Sequence, residues 1–480
     1  MSLGARAIDG AFWNVGLALS NKVITLAGQV ALAWFLLPSD MGLANLALAT
    51  AAFTAVLSVG GLGDVLLQRR RYDEESGQGL WLSFTFCTLM ALAIAAAAAA
   101  SPAFGRPGIA GLLLVLACGM LVGAPATILA AGLKNRLDFK GLALAQLAGG
   151  LVYTPTAVAL AWLGWGPYAL IVPFLPQQIV TMAAMLGRGS RVALERPDPA
   201  VLRTLARPTL ALSLTGLFIG LQSQAPVFVC GLALDPGTLG HFTWGWAVAG
   251  QAVFLLATNL REVLLPAFTR LEQDPAHRAQ VALKVARTIT ALLCLVCGVQ
   301  ALLARTAIGH LVPAKWAPAV PVVICASLGL AAQGLWITGM AWLNACGRYR
   351  LLLKLSALQT LAAVALTWAG VRWGGLLGAS IGCAAATALG AAASVAPMGA
   401  AALLRAARTW WLPAAATVAA WSACLAFSWG SPLREIPAAG AFALVAGWFW
   451  WREDDGGLAG VLARAGAVLQ PLLPRRGARP

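Results

Sequence analysis

Leu36-Leu37-Pro38-Ser39-Asp40-Met41-Gly42, with the apolar run that follows it to Leu67, occurs twice in this chain. Adding 198 to each number carries Leu36, Pro38, Gly42, Ala49, Ala51, Leu57, Leu62, Val65, Leu66 and Leu67 onto Leu234, Pro236, Gly240, Ala247, Ala249, Leu255, Leu260, Val263, Leu264 and Leu265. That is 10 identities in 32 ungapped positions. Ala and Leu are common enough to match by chance. A Pro and a Gly aligned at one connection are harder to dismiss. Asp64 also falls on Glu262. Each copy reads as the end of one apolar helix, a short Pro/Gly turn and a second apolar helix.

Around this repeat the composition is that of a membrane protein. The chain has 480 residues, 60% hydrophobic and 10% charged, where soluble domains carry roughly a quarter charged residues. Apolar runs of about 20 residues recur from end to end, each long enough to cross ~30 Å of hydrocarbon as a helix. The runs are continuous and not alternating, which excludes a β-barrel. Arg6 and Asp9 precede an apolar segment too long for a signal-peptide core, so the first helix is expected to stay.

The runs predict an all-α, polytopic bundle of about 14 transmembrane helices. In order they are Ala11–Leu37, Met41–Leu67, Leu80–Ser101, Ile109–Gly132, Gly141–Leu163, Pro167–Leu186, Thr209–Leu234, His241–Phe268, Thr288–Ala304, Ala317–Ala345, Leu351–Val371, Gly375–Pro397, Trp410–Phe427 and Ile436–Trp451. Residues 1–208 are expected to form one six-helix lobe with its linker, and 209–402 a second. Residues 403–451 would carry helices 13 and 14, and 452–480 a cytoplasmic tail. Lys and Arg test this map. Of the 33, 26 fall in turns or ends on one side, 5 on the other, and Lys22 and Arg261 lie within helices. Basic loops stay cytoplasmic, so both termini are expected inside a bacterial inner membrane. Helices 1 and 7 then run in the same direction, which makes the halves parallel repeats about an axis along the membrane normal. Repeats of this kind belong to transporters, with the substrate site between the halves.

The net charge of +16 sits in short loops between apolar runs, a pattern of membrane orientation and not of nucleic-acid binding. The nine cysteines are scattered singly apart from Cys294 and Cys297, read as apolar filler and not as a metal or redox site. No paired-carboxylate motif, phosphate loop or metal-spaced His/Cys set is visible, so neither an enzyme nor a cofactor is expected.

Polar groups inside apolar runs are the candidate site. A charge at the bilayer centre costs about 2.5–3.5 kcal/mol on insertion scales, so it needs a partner or a wet cavity. Lys22 follows Asn21 and shares a helical face with Thr25 and Gln29. The preferred reading is a face on a water-filled cavity; the other is a lysine snorkelling from the first turn. Arg261 and Glu262 lie in the inner half of helix 8, with Asp64 as the repeat partner of Glu262. These acids are candidates for ion coupling at the inner mouth, or simply interfacial. Gln222 and Gln224 precede Pro226, which either unwinds helix 7 at a site or merely kinks it.

Several turns resemble a known family. Leu36-Leu37-Pro38-Ser39-Asp40-Met41-Gly42-Leu43, the helix 2 exit Gly61-Leu62-Gly63 through Leu67-Gln68-Arg69, and Arg136-Leu137-Asp138-Phe139 are similar to its turns. So are Leu265-Pro266-Ala267-Phe268-Thr269-Arg270-Leu271 with Asp274-Pro275, Lys315-Trp316-Ala317-Pro318-Ala319, and Ala345-Cys346-Gly347-Arg348. They resemble the Wzx-like polysaccharide transporter branch of the multidrug/oligosaccharidyl-lipid/polysaccharide (MOP) flippase superfamily, which has a MATE-like fold. Two positions depart from it: Gln224-Ala225-Pro226-Val227 stands where relatives often carry an Asp, and Phe242 where they carry a Tyr.

The resemblance implies flipping of undecaprenyl-diphosphate-linked oligosaccharide from the cytoplasmic to the periplasmic leaflet, by alternating access. It implies Lys22 and Arg261 as attractors of the diphosphate and Arg136 as a recruiter at the inner surface. Asn21, Gln29, Gln222 and Gln224 would bind sugar hydroxyls. Polysaccharide polymerase and chain-length proteins are the expected partners beside the membrane and the lipid-linked substrate. The alternatives are a cation-coupled multidrug exporter or a peptidoglycan-precursor flippase of the same superfamily, and, from another class, a membrane glycan polymerase or ligase.

Overall fold

The computed structural model describes residues 24–399, except 60, 70, 71, 104, 106, 193–195 and 271–274, together with isolated helical positions between 404 and 446. Among the described residues all regular structure is helical. The helices are α1 (Ile24–Phe35), α2 (Pro38–Val59), α3 (Leu62–Arg69), α4 (Tyr72–Ala100), α5 (Ala110–Gly123), α6 (Ala126–Asn135), α7 (Phe139–Trp162), α8 (Tyr168–Ile171) and α9 (Phe174–Gly187). They continue with α10 (Pro199–Ala233), α11 (Pro236–Arg270), α12 (Pro275–Leu311), α13 (Val320–Ala331), α14 (Gln333–Ala345) and α15 (Tyr349–Val395).

Among the described residues, seven helical segments are long and apolar enough to cross a membrane. They coincide with expected passes 3 to 6 and 9 to 12, the last two joined in the 50-residue segment Tyr349–Met398. Inside it α15 breaks at Gly374 and Gly375, where Gly375 has φ 54°, a left-handed conformation open to glycine. Passes 1, 2, 7 and 8 are occupied by α1, by α2 with α3, by α10 and by α11. Passes 13 and 14 and the tail lie outside the described residues. Large apolar side chains stand exposed on these helices, among them Leu92, Trp162, Leu361 and Trp373, as expected where the surrounding solvent is lipid. Trp162, Trp165 and Trp373 sit at helix ends, the usual level of interfacial aromatics.

Three helices start eight or more residues before their apolar runs. α4 begins at Tyr72, with Asp73, Glu74 and Glu75 in its first turn, where the helix dipole favours acids. α10 begins at Pro199, ten residues before its apolar run. Asp198 caps it by accepting from Ala200 N at 2.8 Å, and Pro199 suits the first helical position. α12 begins at Pro275 and takes in the charged stretch Arg278–Arg287 that precedes its apolar run. Hydropathy marks only the part of a helix that lies in hydrocarbon.

The described residues form two compact units. The first comprises residues up to Gln251, Ile308–Val322 and Ser356–Cys383. Its main core gathers Ala44, Ile94, Leu112, Ile171, Cys230, Phe242, Val322 and Val371. Here the two copies of the repeat meet. A Cβ on Gly42 would overlap the carbonyl oxygen of Pro236, and a Cβ on Gly240 would overlap that of Pro38. The contact is reciprocal at equivalent positions, as a two-fold relation requires. Around it, Trp316 Nε1 donates to Ala33 O at 2.8 Å, Trp34 Nε1 to Leu311 O at 3.0 Å and Lys315 Nζ to Trp34 O at 3.1 Å. In the second unit α12, α14 and the end of α15 pack through small residues: Gly334 against Thr290 and Gly339 against Ser394, the close approach common in membrane helices. Cys294 and Cys297 are buried free thiols of α12.

Gly42→Ala and Gly240→Ala are each expected to cost about 1–3 kcal/mol through overpacking. Thermal unfolding in detergent checks this: each variant should melt several degrees below the unaltered chain. Gly309→Ala, where a Cβ meets open space, should melt no lower.

Candidate functional site: a neutral polar cavity

A cavity of about 790 Å³ lies in the first unit. Its walls are α1, α2, α6, α7, α8, α9 and the first turns of α11. α7 contributes Gln146, Gly150, Tyr153 and Thr154, and α9 contributes Phe174, Gln177, Gln178, Thr181 and Met185. The spacing explains the placement: in each set the positions recur at three, four, seven or eight residues, so they share one helical face. α7 and α9 pack closely enough that a Cβ on Gly149 would overlap Thr181 Oγ1. α1 adds Thr25 and Gln29, α2 adds Asn45, and α11 adds Thr243 and Trp244.

Every polar group among the described lining residues is an amide, a hydroxyl or an indole N–H, and none is charged. Several are held in place by backbone carbonyls. Asn45 Nδ2 donates to Met41 O at 2.8 Å, Thr181 Oγ1 to Gln177 O at 2.8 Å and Tyr153 OH to Leu170 O at 3.0 Å. Gln251 Nε2 of α11 donates to Gln29 Oε1 at 3.3 Å. Gln177 Oε1, Trp244 Nε1 and Gln251 Oε1 are buried without a hydrogen-bond partner. Trp244 packs on Trp316 at 4.8 Å between ring centroids.

The residues picked from sequence are placed as follows. Gln29 lines the cavity. Lys22 and Asn21 lie outside the described residues. Arg261 and Glu262 belong to helix α11, and their side chains lie outside the described residues. Gln222 and Gln224 are half-buried on α10 and are not among the lining residues. α10 runs as helix through both Pro208 and Pro226, without the unwinding considered for Pro226. Arg136 is exposed, and its Nη1 donates to Gly189 O at 2.7 Å. Asp64 is exposed in the first turn of α3. Gln146, Gln177, Gln178 and Thr181 were not singled out from sequence. The stripe test that selected Thr25 and Gln29 finds them when applied to Gln146-to-Thr154 and Gln177-to-Met185.

A helical bundle crossing the membrane many times around a polar cavity defines a multi-pass membrane protein. A family model described as "Polysaccharide biosynthesis protein" matches residues 31–321. The chain belongs to this family of polysaccharide biosynthesis proteins, which bears out the resemblance read in its turns. The succinoglycan biosynthesis transport protein ExoT of Rhizobium meliloti (strain 1021) is 23% identical over 323 residues. That match covers 65% of this chain and 64% of the relative's length, so the chain spans less than two thirds of it. Among solved structures, the lipid II flippase MurJ in an inward closed conformation has TM-score 0.67 at 13% identity, over 92% of this chain and 99% of that one. An inward-facing multidrug resistance MATE family transporter of the MOP superfamily has TM-score 0.59 at 15% identity, over 83% of this chain and 98% of that one. The fold is that of MOP-superfamily transporters.

A polar cavity in a membrane bundle is expected to hold water. In a cysteine-free background, Gln178→Cys should react with a water-soluble maleimide, and Ala145→Cys, at a position 1% exposed, should not. Equal protection of both would mean that the cavity is dry.

Proposed function

We propose that this protein moves a lipid-linked oligosaccharide across the bacterial inner membrane for the assembly of an exported polysaccharide. The polar cavity, lined among the described residues by amides and hydroxyls, carries this reading. Sugar hydroxyls lose water on entering a membrane and need replacement partners. Amides and hydroxyls supply both donors and acceptors. The cavity volume falls in the usual range of ligand sites, about 300–1,000 Å³, which suits a short saccharide unit and not a polymer. Membership of a polysaccharide biosynthesis family and likeness to a succinoglycan transport protein support the same reading.

In its finer form, the carrier is undecaprenyl diphosphate and movement runs from the cytoplasmic to the periplasmic leaflet. The prenyl tail stays in hydrocarbon while the head crosses. The lobes 1–208 and 209–402 rock about the repeat axis in alternating access. Residues 403–451 carry helices 13 and 14, and the tail 452–480 and the N-terminus are cytoplasmic. Lys22 and Arg261 attract the diphosphate and Arg136 recruits it at the surface. Gln29, with Asn21, Gln222 and Gln224, binds sugar hydroxyls, and Asp64 and Glu262 couple an ion to movement. A polymerase and chain-length proteins receive the product.

The test is complementation in the native producer with its own copy deleted. The unaltered chain should restore surface polysaccharide. Gly150→Phe, which puts a ring into the cavity, should abolish it at unchanged membrane levels. Lys22→Ala and Arg261→Ala should each lower it. Full export by Gly150→Phe would remove the cavity from the path.

A further inference from the structure

Four of the described helices end in the same turn. After α6, Asp138 N donates to Leu133 O and Leu137 N to Lys134 O, both at 2.9 Å. After α7, Trp165 N donates to Leu160 O and Gly164 N to Ala161 O, both at 3.1 Å. After α9, Ser190 N donates to Met185 O at 3.2 Å and Gly189 N to Leu186 O at 2.9 Å. After α14, Arg348 N donates to Leu343 O and Gly347 N to Asn344 O, both at 3.0 Å. Such a turn needs one residue in the left-handed conformation. In three of the four it is a glycine: Gly164 (φ 79°), Gly189 (φ 81°) and Gly347 (φ 67°). In the fourth it is Leu137 (φ 57°). A Cβ is unfavourable in that conformation, which is why glycine is usual there.

The second half of the chain sharpens the contrast. Adding 210 carries Leu133 onto Leu343, Leu137 onto Gly347, Phe139 onto Tyr349 and Lys140 onto Arg350. The counterpart turn forms with glycine, so the backbone does not require the leucine. The core does not require it either, because Leu137 is 61% exposed. A strained residue kept without a packing role points to a use for its side chain.

The surroundings indicate that use. The candidate membrane spans Ala110–Asn135 and Phe139–Trp162 lie on either side of the turn, which puts it at the edge of the hydrocarbon. Lys134, Arg136 and Lys140 flank Leu137, and all three are exposed. Arg136 Nη1 donates to Gly189 O at 2.7 Å. That bond joins the turn to the end of α9, where Arg188 and Arg191 are also exposed. The acid of the turn, Asp138, is used as the cap of α7 and accepts from Gly141 N at 2.8 Å. An apolar side chain set among cations at this level fits an anionic leaflet. Phosphates attract the cations, and the apolar side chain enters the acyl chains beneath them.

We infer that the turn 134–140 docks on anionic phospholipid, with Leu137 inserted among the acyl chains and Lys134, Arg136 and Lys140 on the headgroup phosphates. The docking holds the shared end of α6, α7 and α9 at a fixed depth. The inference goes beyond the proposed function and does not depend on its substrate.

The test uses the full chain in liposomes, in a cysteine-free background, with a nitroxide on Leu137→Cys. In liposomes containing phosphatidylglycerol, the label should respond more to oxygen, which concentrates in hydrocarbon, than to a water-soluble nickel chelate. In phosphatidylcholine alone the balance should turn toward the chelate. Each cation near an anionic surface corresponds to about a fivefold change in association. Lys134→Gln with Lys140→Gln should therefore turn the label toward the chelate even with phosphatidylglycerol present. A label that favours the chelate in phosphatidylglycerol, or lies equally deep in both lipids, would overturn the inference. Leu137→Gly separates docking from folding. It should melt no lower than the unaltered chain in detergent, because glycine suits the turn. A clearly lower melting temperature would make Leu137 a packing residue and would also overturn the inference.

Discussion

Two helix N-termini touch at Gly42 and Gly240, with each glycine seated against the carbonyl of the other copy's proline. No side chain larger than hydrogen fits there. Because the contact is made in the first turns of α2 and α11, it fixes how close the two copies of the repeat come within the first unit. α2 then runs on beside α10, where Gly231 admits Leu46. The indoles of Trp34 and Trp316 and the ammonium of Lys315 find backbone carbonyls across the same stretch. Backbone contact at a few glycines is how membrane helices associate when lipid removes the hydrophobic drive between them.

The cavity follows from the same economy of polar groups. Away from water, hydroxyls on these helices turn back to the carbonyl four residues before them, as Thr50, Thr338 and Ser380 do. Gln177 Oε1 is left without a partner by any such arrangement, and Gln146 and Gln178 line the same cavity. These amides line one wall of the cavity.

Much of the fold was legible in the sequence, because hydrocarbon thickness imposes a length on every apolar run. Eight expected passes have apolar helices at their predicted places, and the aligned Pro and Gly of the repeat are the residues that meet in the structure, a contact the repeat alone did not predict. Helix starts were less legible. Polar first turns such as Asp73-Glu74-Glu75 and the cap Asp198-Pro199 lie beyond the hydrocarbon, where hydropathy carries no signal. The site was legible in kind and only partly in detail. A lone lysine or arginine in an apolar run stands out, so the sequence pointed to Lys22 and Arg261. Gln146, Gln177 and Gln178 stand out only once the helical period is laid over α7 and α9. Gln29 was found by that route and lines the cavity.

Under the proposed function, this chain by itself carries an oligosaccharide head across a bilayer. The direct measurement uses purified protein in liposomes with a lipid-linked neutral oligosaccharide in both leaflets and a glycosidase outside. With active protein, the glycosidase should reach nearly all of the glycan with time, and with empty liposomes only the outer half. Digestion that stops at half in the presence of well-folded protein would contradict the account.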